Sequence, residues 1–514
     1  MLAGGFDGVG SADPHPLFVG VRGPDGEAQE DRARAVQPER RAAIGGEVAP
    51  LAAQASQESR GGLAAKTRSG DVLTVRFAEL APSGNGLARA GDRAIEVPGA
   101  VPGDLAQIRI VRRRRGRCEG VMLQLVDSAV SRTPSRCSHS GACGGCCWQG
   151  IEYADQLRLK QTLFETAMAR VAGSMPPVEP ILASPAAFGY RNKMEFSFGA
   201  DGAGELVLGL HRRGRYRAVV DVENCQLQSD AANDLLSSVR QQARRLRLPA
   251  YDLRSHEGLL RFLVLRCSSH TGQVLANLVV AEYPSADVDR LIGAVLDGIP
   301  AVSSVVVTRH QGKAQTAVGQ AEFVVHGTGR ITESCNGVEY SISARSFFQT
   351  NTKQAAALYR TVAEMARDVT RCRVLDVYCG AGGISLQLAR CATSVVAVEC
   401  VGEAIADAWL NAERNQIRNC RFVAGQAEDV LGGLRSEGFD LAVVDPPRVG
   451  LHPNVRAHLI AMSVPRLIYV SCNPQSLADD LVVLTAAGYR LERIRPLDMF
   501  PQTSHCEAVV QLAR

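Results

Sequence analysis

The sequence predicts a multidomain α/β protein with a small N-terminal β-barrel, a mixed α+β central domain and a C-terminal doubly wound, mainly parallel sheet. Three observations predict it. The chain has 514 residues, 46% of them hydrophobic, which at roughly 150 residues per domain implies about three domains with real cores. Short alternating apolar runs broken by Gly, Pro, Asn and Asp turns begin at Asp71, the pattern of a small antiparallel barrel. From Arg373 onward, strand-like and helical stretches alternate in regular βα units, which implies a parallel sheet with helices on both faces. No run approaches the roughly 18 uninterrupted apolar residues that span a bilayer, and the first residues lack the basic flank and apolar core of a signal peptide. The expected compartment is the cytoplasm, where the 15 cysteines would be reduced, metal-bound, catalytic or buried rather than paired.

Taken in order, residues 1–66 are rich in Ala, Gly, Gln and charge and are expected to be disordered, because they bury too little to offset their ordering entropy. Residues 67–127 are expected to form the barrel. The stretch 67–125 holds ten Arg against six Asp or Glu, so the whole formal excess of +4 is concentrated there. Its densest part, Arg112, Arg113, Arg114, Arg115 and Arg117, is expected just after a strand. A charge run is usually a solvated face, but on a small barrel the favoured reading is a phosphate-backbone contact. The central domain, 128–335, opens with a cysteine-rich loop over 137–147. It continues into a helix over 153–171 expected to pack on the C-terminal domain, then strand-like runs at 259–265 and 302–307. The C-terminal domain, 336–514, carries strands at 373–378, 394–399, 439–445 and 466–472.

The chemistry lies at the ends of those strands. Asp376-Val-Tyr378-Cys-Gly380-Ala-Gly382-Gly383 is a buried strand running into a glycine-rich turn and a helix, and Gly380 lets the backbone approach a ligand. Ser385 stands where a dinucleotide fingerprint would place its third glycine. Together with Asp376 inside the strand, this favours S-adenosylmethionine, which has no pyrophosphate to cradle. Glu399, ending the next strand, is placed to accept both ribose hydroxyls. Asp445-Pro-Pro-Arg448 closes the fourth strand on a stiffened backbone. Arg448 occupies the place where methylases of exocyclic amines usually carry an aromatic, so carbon methylation is favoured.

Cys472-Asn-Pro474 ends the fifth strand. A free cysteine is more often a small buried hydrophobe, but the Asn-Pro turn aims this one into the crevice. Glu507 opens the last strand. A thiolate paired with a carboxylate suits one reaction in particular. Carbon 5 of uracil is too weakly nucleophilic to take a methyl group until a thiolate adds at carbon 6, and a base must then remove the carbon 5 proton.

Over about residues 70–514 the chain resembles the RNA (uracil-5-)-methyltransferases. The motifs that carry the resemblance are Ser-Phe-Phe-Gln-Thr-Asn at 346–351, Asp-x-Tyr-Cys-Gly-x-Gly at 376–382, Asp-Pro-Pro-Arg at 445–448, Val-Ser-Cys-Asn-Pro at 470–474 and Asp-Met-Phe-Pro-x-Thr-x-His-x-Glu at 498–507. The resemblance implies a Rossmann-like methyltransferase domain and an N-terminal barrel of the OB-like type called TRAM. It implies that Gln349, Tyr378, Glu399 and Asp445 contact the cofactor, that Cys472 is the nucleophile and that Glu507 accepts the proton. Gly383 and Gly425-Gln426 depart from the pattern on the adenine side.

Cys137, Cys143 and Cys146, with Cys225 following, resemble the four-cysteine [4Fe-4S] site of one branch of that family; Gly141, Gly144 and Gly145 would let the loop fold back around it. Zinc is the competing occupant, although zinc ribbons usually show two Cys-x2-Cys pairs and one is present here. Cys147 is a spare or mistaken ligand. The branch implies ribosomal RNA of the large subunit as substrate, with transfer RNA as the alternative. A non-enzymatic RNA-binding assembly factor and a base-nitrogen methylase are the other readings; the presence of Cys472, Asp445 and Glu507 weighs against the first, and Arg448 against the second. Nothing in the sequence demands more than a monomer.

Overall fold

A computed structural model describes residues 68–514 apart from positions 92, 115, 172, 174, 300 and 367–370. The expected disordered extension, 1–66, and Arg115 of the basic run lie outside the described residues. Strands β1 (Val72–Arg76), β2 (Glu79–Leu80), β3 (Gly86–Ala90), β4 (Arg93–Val97), β5 (Leu105–Arg114) and β6 (Arg117–Asp127) form one sheet in the order β1-β5-β6-β4-β3-β2. Strand alternation turns Val75, Ile95, Val97, Ile108, Ile110 and Cys118 into a common core and leaves Arg109 and Val111 outside. Two expectations are corrected here. The basic run does not follow a strand: Arg112, Arg113 and Arg114 are the end of β5, with Arg112 opposite Glu119 of β6, because ladder pairing continues past the last inward apolar residue. Nor is the sheet wholly antiparallel, since β4 runs parallel to β6 over Ala94 to Glu96.

Helix α1 (Tyr153–Met168) stops short of the expected 171, ahead of Gly173 at φ +100° and the Pro176-Pro177 pair. Its apolar face, Phe164, Ala167 and Met168, packs with Leu477 and Leu481 of the C-terminal domain. The central sheet has the order β13-β12-β11-β10-β7-β8-β9. Its strands are β7 (Lys193–Ala200), β8 (Leu206–Arg212), β9 (Arg215–Asp221), β10 (Leu260–Cys267), β11 (Val274–Val280), β12 (Val302–Arg309) and β13 (Ala321–His326). Helices α2 (Asp230–Arg245) and α3 (Ala286–Gly298) cover it through Leu235, Leu236, Val239, Val288 and Leu291. The hairpin β14 (Arg330–Cys335) and β15 (Val338–Ser343) packs with α4 (Thr352–Met365) into the core of the next sheet.

That last sheet holds the chemistry. It is built from β16 (Arg373–Val377), α5 (Gly383–Ala389), β17 (Ser394–Glu399), α6 (Gly402–Arg414), β18 (Cys420–Ala424), α7 (Ala427–Val430), β19 (Leu441–Val444), α8 (Pro453–Met462), β20 (Arg466–Ser471), α9 (Pro474–Ala486), β21 (Arg490–Leu497) and β22 (Glu507–Ala513). The order is β18-β17-β16-β19-β20-β22-β21. Five strands are parallel, and β22 runs antiparallel to both β20 and β21. Strand order reverses between β16 and β19, which opens a crevice at their carboxyl ends where ligands of such sheets bind. Among the described residues, no helix is long and apolar enough to cross a membrane.

The loop between β21 and β22 is fixed from three directions. Lys160 of α1, wholly buried, pairs with the wholly buried Asp498 and donates to Phe500 O at 2.9 Å. Gln156 Nε2 donates to Gln502 Oε1 at 3.0 Å, and the Gln502 N–H donates to Gln156 Oε1 at 2.9 Å. Ser504 Oγ donates to Ser83 O of the N-terminal sheet at 2.9 Å, and the N–H groups of Cys147 and Trp148 both donate to Gln502 O. A buried charge pair of this kind positions more than it stabilises, yet removing one partner costs about 3–5 kcal/mol because the other charge is left uncompensated.

Candidate active site

β16 ends on Val377, and Tyr378 then adopts φ +69°, a left-handed conformation that is uncommon for a bulky residue and is held where surroundings over-determine it. Here the N–H groups of Tyr378 and Cys379 both donate to Val398 O of β17, at 2.9 and 3.0 Å. Gly380 follows at φ +55° and donates to Glu399 Oε2 at 3.1 Å. Glu399 is therefore anchored by backbone: its Oε1 accepts from the Val401 N–H at 2.9 Å and from the Cys400 thiol at 3.4 Å, leaving a further lone pair on Oε2 for a ligand.

Gln349, Tyr378, Asp376 and Asp445 border one cavity, with Gln349 Nε2 at 3.5 Å from Asp445 Oδ2. Ser385 Oγ donates to Asp376 Oδ2, which explains the serine at the position of a third glycine. The other oxygen of Asp376 is buried without a partner. Burial pushes the Asp376 carboxyl up to about 7; burial first and then Asp376 raise Asp445 as well. A crevice that crowds carboxylates and leaves a buried acceptor open fits a cationic ligand, and the sulfonium and ammonium groups of S-adenosylmethionine are such cations.

Cys472 lies one residue beyond β20, half-buried, on a cavity of about 180 Å³ that it shares with Arg448, His505, Leu163 of α1 and Pro82 of the N-terminal sheet. Burial pushes its thiol up to about 12, Glu507 and Asp445 add to the rise, and Arg448 opposes it. Glu507 is 3% exposed and its Oε2 has no partner. Burial and then Asp445 hold its carboxyl well above the usual carboxylate range, against the pull of Arg448. Desolvation, with Arg448, Lys160 and Arg191 behind it, pulls His505 down to about 4, so its imidazole is neutral near pH 7. In the sequence His505 is visible only as a motif letter, and Arg448 only as a residue standing in place of an aromatic, not as a neighbour of Cys472. Pro82 and Leu163 carried no local signal, because nothing in their own segments announces a contact with a strand end hundreds of residues away.

Cys137, Cys143, Cys146 and Cys225 all border a second cavity, of about 210 Å³. Burial raises Cys146 to about 12 and raises Cys143 and Cys225. Gly145 N–H and Gln149 Nε2 point at the sulfurs of Cys143 and Cys146, at 3.4 and 3.3 Å. Among the described residues, no three His, Cys, Asp or Glu side chains converge closely enough to hold a metal ion. Cys147 does not border this cavity; it packs instead with Val101, Trp148 and Ile151.

Residues 306–514 match the family model described as tRNA (Uracil-5-)-methyltransferase. The chain is 38% identical to an uncharacterised RNA methyltransferase of Gloeobacter violaceus, over 87% of this chain and 97% of that protein. It is 34% identical to an uncharacterised RNA methyltransferase of Caldanaerobacter subterraneus, over 86% and 98%. Among solved structures it is similar to the tRNA (uracil-54, C5)-methyltransferase of Pyrococcus abyssi in complex with S-adenosyl-L-homocysteine, with a TM-score of 0.69, 28% identity, and coverage of 86% of this chain and 99% of that one.

Proposed function

Because the chain belongs to the RNA (uracil-5-)-methyltransferase family, whose members depend on S-adenosylmethionine, we propose that it methylates carbon 5 of a specific uridine through a covalent Cys472 adduct. The observation that carries this reading is that Cys472 and Arg448 share one cavity, with the buried Glu507 carboxyl near enough to act on the Cys472 thiol, beside the carboxylate-lined crevice that holds Asp445. S-adenosylmethionine supplies the methyl group when bound, and Gln349, Tyr378, Gly380, Glu399 and Asp445 are the residues that would hold it. The Cys472 sulfur forms a bond to carbon 6 of the ring, and the electron pair of the carbon 5–carbon 6 double bond moves into an enolate. Arg448 favours the thiolate by its charge. After carbon 5 is methylated, Glu507 takes the carbon 5 proton, the double bond re-forms and the bond from sulfur to carbon 6 breaks, returning the thiolate. The uridine must leave its stack to reach both groups. Incubation with methyl-labelled cofactor and ribosomal or transfer RNA, followed by digestion to nucleosides, is expected to yield labelled 5-methyluridine. A labelled product that is another nucleoside, or none with any RNA, overturns the reading.

Large-subunit ribosomal RNA is our proposed substrate, supported by the resemblance to the four-cysteine branch. Transfer RNA is the second reading, favoured by the likeness to the Pyrococcus abyssi enzyme, and the same digestion separates the two by which RNA carries the label. In this reading the N-terminal sheet is a TRAM-type module that holds RNA phosphates through Arg109, Arg112, Arg113, Arg114 and Arg117, and the protein acts as a cytoplasmic monomer. Cys137, Cys143, Cys146 and Cys225 would hold a [4Fe-4S] cluster in a structural role, tying the loop to the central sheet. What supports a cluster over one zinc ion is the resemblance to the four-cysteine branch and the single Cys-x2-Cys pair, with all four cysteines bordering one cavity. Anaerobically purified protein is expected to be brown and to contain iron and acid-labile sulfide; colourless protein with stoichiometric zinc excludes the cluster.

A further inference from the structure

We propose that the β8–β9 hairpin is a second RNA contact, in which an unpaired base stacks on Tyr216 and its flanking phosphates lie against Arg212, Arg215 and Arg217. The proposal rests on the RNA-methylating reading above and extends it to a surface outside the N-terminal sheet. The turn region reads His211-Arg-Arg-Gly-Arg-Tyr-Arg217, a one-sign charge cluster interrupted by a single aromatic. Tyr216 is 60% exposed. One face is backed by His211, with ring centroids 5.0 Å apart and planes at 19°, and His211 is itself held against Ser197 Oγ at 3.2 Å. The ring is thus set as a platform before any partner arrives.

Arg212, Arg215 and Arg217 are exposed, and none forms an ion pair among the described residues. The acidic residue of the same hairpin, Asp221, is engaged by Arg240 and Arg244. Free guanidinium groups around one stacked ring match nucleic acid better than an apolar protein surface: the cations meet phosphates, and every base offers a π-face.

The turn is also rigid, which lowers the ordering cost of binding. Gly144 N–H donates to His211 O and Arg213 N–H donates to Ala142 O, both at 3.0 Å, and the Arg213 guanidinium donates to Cys146 O. A side chain at Gly144 would meet His211 O at 2.9 Å, so this close seam requires glycine. The same cysteine loop donates from Cys147 and Trp148 to Gln502 O. The hairpin and the loop before Glu507 therefore sit in one frame, and an RNA engaged at Cys472 would meet Tyr216 at a fixed offset.

The test uses the full-length protein and a fluorescein-labelled RNA stem-loop with uridines in its loop. Affinity is measured over a salt series for wild type, Tyr216→Ala, Tyr216→Phe and the triple variant Arg212→Gln, Arg215→Gln, Arg217→Gln. S-adenosylhomocysteine binding by each variant reports that it is folded. Tyr216→Ala should weaken binding about 5- to 150-fold and Tyr216→Phe should recover most of that. The triple variant should flatten the dependence of log affinity on log salt by about two units. Wild-type affinity and slope in both Tyr216→Ala and the triple variant overturn the proposal, as does a wild-type protein that binds no RNA. Variants that bind like wild type while the protein still makes 5-methyluridine remove the hairpin alone. Hairpin-dependent binding without methyl transfer sustains the hairpin and sinks the catalytic reading.

Discussion

Cys472→Ala is expected to abolish 5-methyluridine formation, with a loss on the order of 10⁴- to 10⁶-fold, the scale on which removal of a catalytic nucleophile acts. It should also abolish any RNA–protein species that survives denaturing electrophoresis. S-adenosylhomocysteine affinity should be unchanged, because Cys472 borders the cavity shared with Arg448 and His505 and not the one shared by Tyr378 and Asp445. Undiminished methylation by this variant would remove the covalent route. The same thiol sets a pH dependence. Burial, Glu507 and Asp445 push it up to about 12, so at neutral pH the empty site holds a thiol. Below that value the thiolate fraction grows about tenfold per pH unit, since each pKa unit corresponds to about 1.4 kcal/mol. The single-turnover rate of adduct formation should therefore rise from pH 6 to pH 8. A flat profile would mean that RNA binding removes the burial penalty and the negative neighbours before attack.

How much of this was legible in the sequence follows from which contacts are local. Asp376, Glu399, Asp445 and Cys472 each stand at a strand end marked by its own punctuation, a glycine turn, a Pro-Pro or an Asn-Pro, so the parallel sheet brings to one edge the residues that reading along the chain singles out. The short third strand, β18, is followed by Gly425, but its residues, Cys420–Ala424, lack the continuous apolar run that marks the others. The extent of β5 is hidden in the sequence because Arg112, Arg113 and Arg114 carry the ladder without the alternation that marks a strand. The contacts that hold the β21–β22 loop were illegible for a different reason. Lys160 and Asp498 are 338 residues apart, and a lysine on an amphipathic helix reads as solvated surface until its partner is known. Tyr216 and its arginines carry no local signal either, since exposure, the property that makes them useful, is set by tertiary packing.

Glu507→Gln should have the opposite signature to Cys472→Ala: turnover falls about 10²- to 10⁴-fold, yet a stable RNA–protein adduct accumulates. The substitution keeps the shape of a side chain that is 3% exposed and removes only the capacity to take a proton. Attack by Cys472 and methylation of carbon 5 do not need that capacity, but release of the sulfur does, because the carbon 5 hydrogen must leave before the double bond can re-form. The trapped adduct should therefore carry the labelled methyl group; an unlabelled adduct would place Glu507 before methyl transfer. A second consequence concerns pH. Burial and then the charge of Asp445 hold the Glu507 carboxyl well above the usual carboxylate range, and a protonated carboxyl cannot accept a proton. A bound cation beside Asp445 would offset that neighbour's part of the rise, while burial, the larger part, remains. Lowering the pH should then slow breakdown of the preformed wild-type adduct, as it slows attack through the Cys472 thiol. In Glu507→Gln the breakdown rate of a preformed adduct should no longer respond to pH through this group, and a retained response of that rate would assign the proton transfer to another residue.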